Sequence, residues 1–179
     1  MHITTRKLAA AAVTGAAYAA LTMLLAPISY GAIQCRVSEV LCILPFFIPC
    51  TAWGLFVGCA IANLLSAAGI FDVIFGSLAT LLAALCTAWL GRGRGAQSWG
   101  RWILAALMPV VFNFVLVGAV LTWSLTDAVF PHLNASFWVF GGQVALGEVA
   151  VLGILGLPLM RLLPRNPKFR EIIRSYQKE

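Results

Sequence analysis

Long stretches without a charged side chain are the feature that most constrains the fold of this chain. Five stretches contain no Asp, Glu, Lys or Arg: residues 8–35, 40–71, 73–91, 102–126 and 128–147. The last stretch continues past a lone Glu148 to Met160. A helix of about 20 apolar residues crosses a bilayer core of roughly 30 Å. Only 10% of the 179 residues are charged, against roughly 25% in soluble domains. The chain is therefore predicted to be an integral membrane protein, which excludes a soluble enzyme, a disordered tail and a coiled coil.

These stretches predict six helices in an all-α membrane bundle. Four stretches predict one helix each: Leu8–Pro27, Val73–Gly91, a helix from Trp102, and Ser136–Met160. The stretch from Val40 to Phe71 is long for one span and short for two. Pro45 and Pro49, followed by Cys50 and Thr51, would break a helix there. We therefore predict two short helices, Ser38–Pro49 and Ala52–Leu65.

The positions of the cations predict the topology. With six helices and the amino terminus inside, eleven of the twelve Lys and Arg lie on the cytoplasmic side, as the positive-inside rule requires. With five helices, the basic connection at residues 92–101 and the basic tail would both lie outside. The prediction is a six-helix transmembrane domain at residues 1–164 and a polar, basic, cytoplasmic tail at 165–179. Both termini are then cytoplasmic.

The chain lacks the sequence patterns of the common catalytic and metal sites. Its five cysteines show no CxxC or Cys/His spacing, and its two histidines are 130 positions apart. The glycines at residues 91–95 are not followed by the Lys-Ser or Lys-Thr of a phosphate-binding loop. No paired intramembrane acids are present. The chain is therefore predicted not to be an enzyme, and neither a metal nor another cofactor is expected.

Small residues form two parallel stripes on the first helix. Ala12, Ala16 and Ala20 recur at every fourth position, and Ala11, Gly15 and Ala19 repeat the pattern beside them. Such stripes let helix backbones approach closely in lipid. They indicate either packing within this bundle or a docking face for another membrane subunit.

Five ordered segments carry a family resemblance across about residues 12 to 160. They are GAIQCRVSE at 31–39, GLFVGCAIANLL at 54–65, DVIFGSLATLLAA at 72–84, PVVFN at 109–113, and Gly147-Glu148 followed by LGLPL at 155–159. Together they resemble the QueT-type queuosine-precursor transporter family, whose members are substrate-binding S components of energy-coupling-factor (ECF) transporters.

The resemblance implies a fold, partners and a ligand. The fold is six membrane helices with both termini cytoplasmic, in agreement with the charge distribution. The partners are a transmembrane coupling subunit, docked on an AxxxA face that is Ala12 and Ala16 here, and two cytosolic ATPase subunits. The ligand is a 7-deazaguanine-type base or queuine, captured from outside the cell membrane. Two alternatives stay open: an S component for another vitamin-like small molecule, and a structural membrane subunit without a ligand.

Two polar residues at mid-membrane depth are candidates to bind the base. Glu148 lies in the middle of a span, where an ionisable group costs about 2.5–3.5 kcal/mol to insert. One carboxylate can accept both neighbouring N–H donors of a guanine-like edge. Asn113 lies at similar depth, and its amide could match a purine edge. The alternatives are a structural, protonated or hydrogen-bonded Glu148 and an interhelix hydrogen bond from Asn113.

The predicted first external loop supplies further candidates. Arg36 is the only cation outside the cytoplasmic groups. With Gln34 and Glu39 it could close over the ligand as a lid, and Tyr30 could stack on the base. Alternatively, Arg36 and Glu39, three positions apart, form a local salt bridge at the start of the second helix.

Three more residues have competing interpretations. Trp138 could stack on the base, although aromatic residues also concentrate at the membrane interface. Asp72 precedes an apolar run and is interpreted as a helix N-cap. Asn63 is interpreted as structural.

Overall fold

Every element in the described part of the chain is helical. The structure is a computed structural model that describes residues 4–30, 34–66, 68–92, 98–126 and 135–177. Of the predicted cytoplasmic cations, Arg94 and Lys178 lie outside these residues.

The helices follow one another with short connections. In chain order they are α1 (Thr5–Leu24), α2 (Ala26–Ser29), a 3₁₀ helix (Val37–Phe46), α3 (Thr51–Asn63), a π-helical turn (Asp72–Gly76) leading into α4 (Ser77–Leu90), α5 (Trp99–Thr126), α6 (Ala135–Val151), a second π-helical turn (Leu152–Gly156), α7 (Leu157–Leu162), a 3₁₀ turn (Leu163–Arg165) and α8 (Pro167–Gln177).

Four helical segments are long and apolar enough to cross a membrane. They are Thr5–Leu24, Asp72–Leu90, Trp99–Thr126 and Ala135–Arg165, and they match the four single-helix predictions. Outward-facing apolar side chains such as Val57, Val115 and Leu146 are exposed on the bundle surface, as expected of a surface that contacts lipid. The chain is therefore a helical membrane bundle.

The ambiguous stretch forms two short apolar helices, as predicted. They are the 3₁₀ helix Val37–Phe46 and α3, Thr51–Asn63, and the break between them falls around Pro49. Ten 3₁₀ residues at about 2.0 Å each and thirteen α-helical residues at about 1.5 Å each both reach about 20 Å, less than a bilayer core of roughly 30 Å.

Close backbone contact joins α1 to α3 through glycines. A Cβ atom on Gly54 would overlap the backbone of Ala11, and one on Gly58 would overlap the backbone of Gly15. Gly15 and Ala19 are buried, whereas Ala12, Ala16 and Ala20 are exposed. The two stripes therefore have different positions: one packs inside the bundle and the other faces outward.

The 3₁₀ helix lies at the centre of the bundle, packed against α1, α3, α4, α5 and α6. Towards its end, Ile43 and Phe46 enter an apolar core with Val110, Leu152 and Met160. At its start, Ser38 and Glu39 are fully buried. One short element therefore supplies both an apolar core and a buried polar region.

Candidate functional site

Polar side chains are concentrated in the interior of this otherwise apolar bundle. A buried polar group without a hydrogen bond, or a buried charge without a partner, is costly. The buried polar side chains around the start of the 3₁₀ helix and the middle of α6 are those of Tyr18, Gln34, Arg36, Glu39, Asn63, Asp72, Asn113 and Glu148. They include most of the predicted site residues.

Glu148 and Asn113 form a buried pair between α6 and α5. Each side chain is only 2% exposed, and Asn113 Nδ2 donates to Glu148 Oε1 at 2.5 Å. The second carboxylate oxygen, Glu148 Oε2, is buried and has no hydrogen-bond partner among the described residues. The interhelix hydrogen bond considered for Asn113 is therefore present, and one oxygen of Glu148 remains available as an acceptor.

The loop at residues 34–36 crosses α6 directly beside Glu148. A Cβ atom on Gly147 would overlap the backbone of Gln34 and approach that of Cys35, and Cys35 Sγ lies 3.9 Å from the Gly147 carbonyl oxygen. Arg36 and Glu39 are within electrostatic range of Glu148. The fold therefore brings the loop candidates and the mid-membrane pair together, although more than 100 residues separate the loop from Glu148 in sequence.

Glu39 is held by α1 and by its own helix. Tyr18 donates its hydroxyl hydrogen to Glu39 Oε1 at 2.5 Å, and Cys42 Sγ lies 3.0 Å from Glu39 Oε2. The local salt bridge considered for Arg36 and Glu39 is therefore wrong. Glu39 and Cys42 lie one turn apart within the 3₁₀ helix, so their side chains are aligned. Arg36 is also three residues from Glu39, but it precedes the helix in an extended conformation, so its side chain is not aligned with that of Glu39.

Arg36 pairs with Asp72 instead. Arg36 Nη2 lies 3.4 Å from Asp72 Oδ2, and both side chains are almost completely buried. The interpretation of Asp72 as an N-cap is wrong, because Asp72 is the first residue of the π-helical turn and its carboxylate pairs with Arg36. Burial disfavours the charged guanidinium, but the Asp72 carboxylate and the neighbouring Tyr18, Cys59 and Glu39 side chains together outweigh burial and raise the pKa of Arg36.

Side chains from two further segments support this ion pair. The Arg36 guanidinium lies over the Tyr30 ring, 5.4 Å from its centroid, a cation–π geometry. Tyr30 in turn donates to the Ala62 carbonyl oxygen at 2.5 Å. Asn63 Nδ2 donates to the Asp72 carbonyl oxygen at 2.9 Å, in agreement with the structural interpretation of Asn63.

Several polar atoms of this region have no partner among the described residues. Besides Glu148 Oε2, they include Arg36 Nε and Asp72 Oδ1. Buried polar atoms are nearly always hydrogen-bonded in native proteins, so these atoms need an explanation. The two carboxylate oxygens, Glu148 Oε2 and Asp72 Oδ1, need hydrogen-bond donors, and Arg36 Nε needs an acceptor.

Trp138 lies apart from this polar region. Its side chain is 65% exposed and packs on Phe114 and Phe137, a position typical of a membrane-interface aromatic.

Sequence reasoning did not select Tyr18, and it gave Asp72 another role. Both had a usable signal. Tyr18 is the only side chain with a phenol among the small residues of α1, and Asp72 is one of only six acids in the chain. In a chain with few charges, an acid and a cation that each end an apolar stretch are expected to form an ion pair.

The chain is similar to known transporter sequences over most of its length. The sequence model of a family described as QueT transporter matches residues 8–165. The chain is similar to the queuosine precursor transporter QueT of Lactococcus lactis subsp. cremoris (strain MG1363), with 33% identity over 146 residues, which cover 80% of this chain and 83% of the relative. No solved structure is significantly similar to the chain.

Proposed function

Because the chain belongs to the QueT transporter family, and is thus a membrane transporter protein and not an enzyme, we propose that it captures a queuosine precursor. The ligand class is a 7-deazaguanine-type base or queuine, taken up from outside the cell. The relative's name supports this substrate class. The single structural observation that carries the proposal is the buried carboxylate of Glu148, which has one oxygen bonded to Asn113 and one without a partner among the residues that the structure describes.

Glu148 is proposed to bind the edge of the base. A guanine-like ring presents a ring N–H and an exocyclic amine side by side, and a carboxylate accepts from both. Asn113 fixes the orientation of the carboxylate through Oε1 and thereby leaves Oε2 directed to the ligand. Asn113 is thus proposed to position Glu148, with its own carbonyl oxygen available to the base.

The loop side of the site is proposed to close over the ligand. Gln34 and Arg36 lie in the loop that crosses Gly147, and Glu39 follows in the first turn of the 3₁₀ helix. Tyr30 holds the Arg36 guanidinium on its ring face and could present the ring to the base. Trp138 is not part of this proposed site because its indole is exposed.

The chain is further proposed to be the S component of an ECF importer. In this arrangement the exposed stripe of Ala12 and Ala16 docks on a transmembrane coupling subunit, and two cytosolic ATPase subunits supply the energy. The support is geometric: the neighbouring stripe is used by α3 within the bundle, so the exposed stripe is free to approach another helix closely.

Ligand binding by the purified protein tests the proposed function. Titration calorimetry or a thermal-shift series with 7-deazaguanine bases, queuine, riboflavin and thiamine should show stabilisation only by the deazaguanine compounds. A response to riboflavin or thiamine alone would favour an S component for another vitamin. No response to any small molecule would favour a ligand-free structural subunit.

Glu148→Gln tests the site itself. The variant removes the charge-assisted acceptor, worth about 1.5–3 kcal/mol, so affinity for the base should fall roughly 10- to 100-fold. Assembly with the coupling subunit should be unaffected. Glu171→Gln, which changes an exposed acid on α8, is the matched control and should bind normally. Unchanged affinity in Glu148→Gln would remove Glu148 from the site.

A further inference from the structure

A cationic cavity lies at the end of the bundle where the α6–α7 segment meets α8. Its volume is about 590 Å³. Four arginines line it: Arg161, Arg165, Arg170 and Arg174. Within the described ranges, none of these guanidinium groups forms an ion pair with a carboxylate. The described residues that line the cavity include no acid, so four neighbouring positive charges repel one another and an anion in the cavity would stabilise this end of the protein.

An apolar groove adjoins this cavity and shares two of its arginines. The groove has a volume of about 580 Å³ and is bounded by Arg161 and Arg165. Its remaining lining is apolar or aromatic, from Trp99, Gly153, Leu157, Pro158 and Leu162. The two hollows together form a site with one strongly cationic part and one apolar part on the outer surface of a membrane helix.

A third feature of the cavity is an unused hydrogen-bond donor. Trp102 lines the cationic cavity, and its indole N–H is buried without a partner in the described part of the chain. Tryptophan concentrates at the level of lipid headgroups because its ring is apolar and its N–H is polar. Trp102 therefore gives the cavity an aromatic wall of the kind found at the headgroup level.

We propose that this composite site binds one anionic phospholipid. The phosphate lies among the four arginines and one acyl chain lies along the groove of Leu157, Pro158 and Leu162. Basic pockets between membrane helices bind anionic headgroups in this way. The apolar groove favours a lipid over a free phosphate ion, since a soluble anion would contact only the cationic half of the site.

The bound lipid would also attach α8 to the bundle. Arg161 and Arg165 belong to the α7 region, whereas Arg170 and Arg174 belong to α8, so one phosphate would connect the two elements. Direct contacts already link α8 to the bundle: Phe169 packs edge-to-face on Phe47, and Tyr176 donates to the Arg6 carbonyl oxygen at 3.2 Å. The proposal is independent of the substrate and of the ATPase partners.

Lipid titration of the full-length protein in a neutral detergent tests the proposal. Phosphatidylglycerol should raise Tm, and native mass spectrometry should retain one copy of this lipid per protein. Phosphatidylcholine and inorganic phosphate should have much smaller effects. This comparison uses the unaltered protein and therefore does not depend on any variant being folded.

Two variants locate the site. The double variant Arg161→Gln/Arg165→Gln removes the two arginines shared by cavity and groove, and should weaken phosphatidylglycerol binding roughly tenfold or more. Lys168→Gln is the matched control, because Lys168 is an exposed cation of α8 that does not line the cavity. It should retain the Tm shift and the bound lipid.

Three outcomes would overturn the proposal. Equal stabilisation by inorganic phosphate would indicate a soluble-anion site, and equal stabilisation by phosphatidylcholine would show that the headgroup charge is not recognised. Equal losses of phosphatidylglycerol binding in Lys168→Gln and in the double variant would indicate nonspecific attraction of the lipid to a basic surface.

Discussion

At the scale of single residues, the interior of this bundle contains more charge than its apolar composition suggests. Arg36, Glu39, Asp72 and Glu148 are all buried, and of these four described residues only Arg36 and Asp72 form an ion pair with each other. Glu39 is hydrogen-bonded by Tyr18, and Glu148 by Asn113. The four groups differ in how fully they are satisfied, so they should respond differently to substitution.

Substitution of the Arg36–Asp72 pair should show strong coupling. Arg36→Gln leaves a buried carboxylate unpaired, and Asp72→Asn leaves a buried guanidinium unpaired. Each should lower the free energy of unfolding by about 3–5 kcal/mol. The double variant Arg36→Gln/Asp72→Asn leaves no unpaired charge and should be more stable than either single variant. Thermal unfolding in detergent measures all three, and additive losses would contradict the pairing.

At the scale of elements, α1 presents two neighbouring stripes of small residues to two different surroundings. Gly15 contacts α3 through the backbones of Gly54 and Gly58, while Ala12 and Ala16 are exposed. Stability of the isolated protein and assembly with a partner should therefore depend on different stripes.

Gly54→Ala should destabilise the isolated protein. The added methyl group would overlap the Ala11 backbone, and overpacking of this kind costs about 1–3 kcal/mol. Gly142→Ala is the matched control, because nothing lies within 4 Å of the added Cβ atom. Its stability should be unchanged or slightly higher, since alanine favours a helix over glycine. Equal Tm values for the two variants would contradict close packing of α1 on α3.

Ala16→Trp should have the opposite effect. A large side chain on the exposed stripe should prevent co-purification with the coupling subunit, while the isolated protein keeps its Tm and its affinity for the base. Ala150→Trp places the same substitution on an exposed position of α6 and should assemble normally. Normal assembly of Ala16→Trp would show that α1 docks elsewhere or not at all.

At the scale of the whole molecule, the two ends of the described chain meet. Tyr176 in α8 contacts the backbone of Arg6 in α1, so both ends lie at the same end of the bundle. If both termini lie on the same side of the membrane, the chain crosses the membrane an even number of times. We propose that this side is the cytoplasm, because the cations concentrate at this end of the chain and the positive-inside rule expects such a bias.

Reporter fusions should show this topology. A fluorescent protein fused to the carboxyl terminus should fluoresce, and alkaline phosphatase fused at the same place should be inactive, because both report a cytoplasmic position. Alkaline phosphatase fused after Thr126, in the predicted outer connection, should be active. An active carboxyl-terminal phosphatase fusion would reverse the proposed orientation.

Much of the helix content was predictable because lipid permits few alternatives. Backbone polar groups in a bilayer must be satisfied within the segment, so each uncharged stretch of sufficient length had to form a helix. The proline at position 49 located the break between the two short helices, whereas Pro45 lies inside the 3₁₀ helix. Glu148 was selected for the same reason, since an acid in the middle of a span needs a compensating environment.

The partners of the buried charges could not be predicted, because they depend on geometry between distant segments. Glu39 is near Arg36 in sequence, yet the 3₁₀ helix aligns Glu39 with Cys42 and leaves Arg36 to a carboxylate 36 positions away. The two stripes of α1 likewise have the same spacing, and only the glycines of α3 decide which one is buried. The sequence by itself determined that the chain lies in lipid, that it is helical, and which few polar residues are candidates for the site, because these properties follow from local chemistry. The tertiary structure alone decided which of those residues meet, because packing sets the contacts between segments.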